Sequence, residues 1–198
     1  ICNSGVSVTQ KYAFLVHLPN YSDRLEATFL CPKNSCNRIF ISKYRSTGSS
    51  RYDTELQFES SYPIKIETRS FSDYIQTTSP TFVELYNQSN TAENYGLKSI
   101  SGAGYRKALE FLIKDYLCST QADEEGTIKK KPLGSCIQDY MQDEKMQNIA
   151  QRAAWLGNDE VHYLRKWENK DLNDLKELIH MTIFWLDHER AYQQLLQD

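Results

Sequence analysis

Two rhythms of apolar and polar positions divide the chain. From residue 6 to about residue 59, β-branched and aromatic residues recur in short runs: "VSVTQKYAFLVHL" (6–18), "RLEATFL" (24–30), "RIFISKY" (38–44) and "YDTELQFE" (52–59). Turn-formers such as "PNYSD" and "STGSS" separate them, so the pattern predicts a short antiparallel meander. After Pro80 the period lengthens to that of a helix. Ser79-Pro80 marks a helix start, and Ser101 is expected to cap the clearest helix. In that helix Tyr105, Ala108, Leu109, Leu112, Ile113, Tyr116 and Leu117 form one apolar face. Shorter helices are expected around 133–141 and 142–156. A last one, from about Asn169 to Gln197, aligns Leu172, Leu175, Ile179, Ile183 and Leu186. The fold class expected is α+β: a small β unit (1–59), a Ser/Thr/Pro-containing linker (60–79), and a bundle of four to five helices (80–198).

Composition narrows this little. The 198 residues are 40% hydrophobic and 25% charged, with a formal net charge of -3, so no global field draws the protein to nucleic acid. The charge is uneven: residues 1–60 carry seven Lys/Arg against five Asp/Glu, and residues 142–198 carry seven against eleven. No apolar run approaches the ~20 residues of a membrane span, so no membrane partner and a cytoplasmic location are expected. The chain begins with Ile, which suggests a fragment or a processed product.

Cys2, Cys31 and Cys36 cluster in the β unit, and "CPKNSC" has the shape of a metal knuckle, two thiols on a tight turn. Zinc takes four tetrahedral ligands, usually from two such turns. The three cysteines therefore suggest a structural zinc whose fourth ligand lies outside this sequence, with His17 a weaker candidate. Without metal they are small buried or exposed thiols. "KYRSTGSSRY" sets Lys43, Arg45 and Arg51 beside Tyr44 and Tyr52, bases among aromatics as single-stranded nucleic acid requires. Arg165 and Lys166 are the bases on the helical side. A plain hairpin tip has the same composition.

"RAAWLGNDEVHYLRKW" (152–167) interrupts a helical pattern at Gly157-Asn158, expected to end the helix in a left-handed turn, with His162 beyond the break. An arginine near a helix end can steady a phosphate, and a histidine beyond it can exchange a proton with a ribose 2′-hydroxyl. Arg152 and His162 are that pair. Arg106 and Glu110, four apart on their helix, are candidates to project into the same groove.

"GAGYRKALEFLIKDYL" (102–117) followed by "RAAWLGNDEVHY" (152–163) resembles a bacterial domain-of-unknown-function family (4145). That family is grouped with the HEPN helical bundles, and the likeness covers roughly residues 80–197. The resemblance implies a HEPN-like bundle, an N-terminal zinc-ribbon-like segment and frequent homodimerisation. It also implies association with bacterial restriction, anti-phage defence or toxin-like systems. Relatives that are RNases use an Arg followed four to six residues later by His. By that likeness the His is His162 and its polar neighbour Asn158, but Arg152 lies nine intervening residues before His162. The expected function is therefore a binding and assembly module for RNA, a nucleotide or a defence-system protein. The alternative is a metal-independent endoribonuclease with His162 as general acid/base and Arg152 or Arg106 as phosphate clamp.

Overall fold

The computed structural model describes residues 9–17, 23–33, 36–47, 55–64, 66–160, 163, 166 and 169–196. They fall into two compact units, residues 1–67 and 68–198. The first is a four-stranded antiparallel meander, β1 (Thr9–Val16), β2 (Arg24–Leu30), β3 (Ile39–Ser46) and β4 (Leu56–Tyr62), in the order β1-β2-β3-β4. Pairing Ala13↔Ala27↔Ser42↔Ser61 runs small residues across one face, where Ala27 and Ser42 are buried and the Ser42 and Ser61 hydroxyls lie 2.7 Å apart. Phe29 stacks on Phe40 on this face. The other face carries Phe14↔Glu26↔Lys43 and Thr28↔Ile41↔Tyr62, with Tyr12 and Phe14 largely exposed.

Among its described residues the second unit holds seven α-helices: α1 (Asp73–Thr78), α2 (Pro80–Asn94), α3 (Lys98–Thr120), α4 (Glu125–Lys130), α5 (Leu133–Tyr140), α6 (Glu144–Asp159) and α7 (Leu172–Leu195). α3, about 35 Å long at 1.5 Å per residue, packs against α1, α2, α4, α5, α6 and α7. Its apolar stripe meets Phe82 and Tyr86 of α2, Ala150 and Ala153 of α6, and Leu175 and Ile179 of α7 in one core. Among the described residues no helix is long and apolar enough to cross a membrane.

Several boundaries differ from the expectation. The boundary between the two units falls inside the expected linker 60–79, of which β4 takes the start and α1, whose Ile75 is fully buried, takes the end. Seven helices replace four or five because α1 and α4 are short and each is held by one buried anchor, Ile75 and Ile128. The polar loop 119–132 is thus partly helical. Ser101 lies inside α3, one turn past its start, and donates its hydroxyl proton back to the Lys98 carbonyl at 2.9 Å. At the starts of α6 and α7, side chains cap as their chemistry predicts. Asp143 accepts from Met146 N–H at 2.7 Å, and Asp171 and Asp174 form a reciprocal capping box.

Candidate functional site

The helix does not stop at Gly157. α6 continues through Gly157 and Asn158 to Asp159, and its end residue, Glu160, keeps right-handed backbone angles. Close approach explains the glycine: a Cβ at 157 would lie 2.5 Å from Cδ and 3.1 Å from Cβ of Arg106 on α3. Gly102 mirrors it, since a Cβ there would meet Glu160 Oε2 at 2.5 Å and Glu160 Cβ at 2.9 Å. At this crossing each helix offers a glycine to a charged side chain of the other.

Arg106 is therefore laid flat over α6 with its guanidinium fixed. Its Nε donates to Asn158 Oδ1 at 2.9 Å, and its Nη1 donates to Glu110 Oε2 at 3.0 Å. Lys114 reaches the other Glu110 oxygen at 2.8 Å. Burial alone would push the Glu110 carboxyl upward, but the bonds and charges of Lys114 and Arg106 outweigh it and hold the group below its ordinary range. The Arg106 side chain is only 18% exposed. A phosphate arriving here would have to displace Glu110, so this arginine is engaged in holding the crossing together.

Arg152 is not part of this constellation. Six residues on a helix turn through about 120° net, so Arg152 and Asn158 face different ways. Arg152 lines a groove of about 460 Å³ with Trp155 and Leu156 of α6 and with Asp174, Glu177, Leu178 and Met181 of α7. His162 and Arg165 lie outside the described residues. Lys166 is exposed, and its backbone N–H donates to the buried Asp159 carboxylate at the end of α6, at 2.9 Å.

In the β unit, Lys43 and Arg45 sit within β3 and both have acidic partners. Lys43 pairs with Glu26 at 3.2 Å and Arg45 with Glu59 at 2.5 Å; Arg51 lies outside the described residues. Lys43 also stands 5.6 Å from the centre of the Tyr62 ring. His17 meets the Asp23 carboxylate through Nδ1 at 3.0 Å. Cys31 is buried and Cys36 half-buried at the two ends of a tight turn. The N–H groups of Cys36 and Asn37 both donate to the Lys33 carbonyl, at 2.8 and 2.9 Å, and Asn37 takes a left-handed φ of 42°. Cys2 lies outside the described residues, and among the described ones no three His, Cys, Asp or Glu side chains group as a metal site.

One cluster escaped the sequence reading. Between the segment before α1, α2 and α7, His180 Nε2 meets Tyr86 OH at 2.7 Å and Arg69 Nη1. Burial, then the charges of Arg69 and Lys176, push the His180 ring down to about 4, so it is a neutral acceptor at neutral pH. Beside it Lys176 bonds both Glu93 oxygens at 3.0 Å, and Glu93 accepts from Tyr105 OH at 2.8 Å. These groups satisfy one another and clamp α2, α3 and α7. The sequence signal was slight: Lys176 and His180 share a face of α7 four residues apart, but their partners lie more than 70 positions away. Set against known proteins, the chain matches no family model, no curated protein and no solved structure.

Proposed function

We propose that the helical unit is a HEPN-like binding and assembly module that pairs with a second copy of itself through α7, and not a nuclease. The observation that carries this reading is a second, exposed seam on α7, apolar at Met181, Phe184, Ala191 and Leu195. Leu175, Ile179, Ile183 and Leu186 fill the core. Outside it, Glu177, Met181, Phe184, His188, Ala191 and Leu195 follow spacings of four, three, four, three and four, a seam suited to a facing helix. Phe184 is 73% and Leu195 75% exposed. The adjoining groove carries Arg152 and Glu177 beside a Lys170–Asp174 pair already closed within the chain at 2.8 Å. A twofold axis there can set Arg152 of one copy against Glu177 of the other. A role in a bacterial defence or toxin-type system is supported by the resemblance of residues 102–117 and 152–163.

Against catalysis stand the compensated guanidinium of Arg106 and the turn of Arg152 into another groove. The pairing of Lys43 and Arg45 with carboxylates likewise favours a protein partner over RNA or a nucleotide. Light scattering on the wild-type chain is expected to give a dimer mass, and Phe184→Glu a monomer with unchanged helicity. Wild-type protein in EDTA is expected to leave mixed single-stranded RNA intact. A monomeric wild type sinks the assembly reading. RNA cleaved by the wild type but spared by His162→Ala puts the metal-independent endoribonuclease in its place.

For the β unit the same proposal includes a structural zinc held by Cys2, Cys31, Cys36 and a fourth ligand outside this sequence, supported by the Lys33–Asn37 turn. A sheet this small has little core, so the metal acts as a folding element. Elemental analysis is expected to find stoichiometric zinc, and a strong chelator to melt the sheet while sparing the helical signal. Metal-free protein with an equally stable sheet removes the zinc from the proposal.

A further inference from the structure

A second cleft, of about 550 Å³, opens among α1, α3, α5 and α7, within the size range of small-molecule sites. Its walls are aromatic: Tyr74, Tyr116, Tyr140 and Trp185, one from each helix, with Tyr116 and Trp185 edge to face at 6.0 Å. Two carboxylates, Asp143 and Glu189, line it against one guanidinium, Arg190. The protein's own cations already use rings of this wall. Arg190 stands 5.6 Å from the Tyr74 ring centre, and Lys131 5.1 Å from that of Tyr140. Burial, then Tyr74 and Glu189, push the Tyr116 hydroxyl up to about 12.

We propose that this cleft binds a small organic ammonium ion, its charged head taken by the Tyr74, Tyr116 and Trp185 rings and balanced by Glu189. Ring quadrupoles attract a cation most strongly where water is excluded, and an anion here would meet two carboxylates against one arginine. A neutral planar ligand would gain from the rings but leave the acidic balance unused. Glu189 holds Gln193 Nε2 at 2.7 Å through Oε1, which fixes its carboxylate along α7. The proposal stands apart from the assembly reading, because Phe184→Glu leaves every residue of the cleft in place and is expected to bind as the wild type does.

Calorimetry on the whole chain tests it, with choline, tetramethylammonium and spermidine as ammonium probes, 3,3-dimethylbutan-1-ol as the neutral isostere of choline, and adenosine as a planar neutral ligand. At least one ammonium is expected to bind saturably, and the isostere at least about tenfold more weakly than choline. Glu189→Gln is expected to weaken the ammonium roughly tenfold, and Arg190→Gln, which removes the competing internal cation, to tighten it. Circular dichroism verifies that both variants are folded. Equal binding of choline and its isostere, tighter binding of adenosine than of any ammonium, or silence from all three ammonium probes overturns the assignment.

Discussion

Tyr105→Ala is expected to destabilise the helical unit by about 3–5 kcal/mol, the range for deleting a large buried ring. Tyr105 is fully buried at the node where α2, α3 and α7 meet. Its ring lies edge-on to Tyr86 at 4.9 Å, and Lys176 Nζ stands 5.9 Å from its centre. Its hydroxyl donates to Glu93, whose carboxylate also holds Lys176. Alanine thus removes a packed ring and also one donor from a carboxylate that has few others. Tyr105→Phe separates the two contributions. It keeps the ring and removes only the donor, and is expected to cost about 1–3 kcal/mol. Urea denaturation followed at 222 nm measures both. An alanine variant within about 1 kcal/mol of wild type, the ordinary size of a surface change, would mean that this node does not hold the three helices together.

The parts of the fold that were readable from sequence are those with a long period. β1 to β4 were legible because each strand combines β-branched and aromatic residues between turn-formers, and α3 and α7 because their apolar stripes run through several turns. α1 and α4 were not, because six residues offer less than two turns of pattern; each is held by one anchor, Ile75 or Ile128, whose partners are remote in sequence. Ser101 misled because serine at a helix start and serine bonded back to a carbonyl one turn earlier look alike in a string of letters. The outer stripe of α7 was hidden by the inner one, since apolar residues on two sides of a helix blur a single period.

The candidate site was legible in its residue types more than in its geometry. Arg106, Glu110 and Asn158 do converge, across 52 positions of chain. Sequence spacing placed Arg152 with them, but the rotation of α6 carries it to the groove with α7. Gly157 read as a stop because the common reason for a glycine near a helix end is a left-handed turn. The actual reason, room for the stem of Arg106, belongs to a residue 51 positions earlier and leaves no local trace.

That account of Gly157 makes a quantitative demand. In an isolated helix, Gly→Ala stabilises by about 1 kcal/mol. Here the new methyl would fall 2.5 Å from Cδ, 3.1 Å from Cβ and 3.2 Å from Cγ of Arg106, so the whole stem must move and not just its tip. A displaced stem carries away the bonds to Asn158 and Glu110 and leaves Glu110 with Lys114 alone. Gly157→Ala is therefore expected to destabilise by about 1–3 kcal/mol, overpacking and lost bonds outweighing propensity. In an Arg106→Ala background the obstruction is gone, and the same substitution is expected to be neutral or to stabilise by up to about 1 kcal/mol. The difference between the backgrounds, roughly 2 kcal/mol, is a coupling of the size that neighbouring positions produce and distant independent ones do not. A double-mutant cycle by urea denaturation reads it. Equal effects in both backgrounds would separate the glycine from the arginine, and with it the claim that Arg106 is held to the α3–α6 crossing instead of being available to a phosphate.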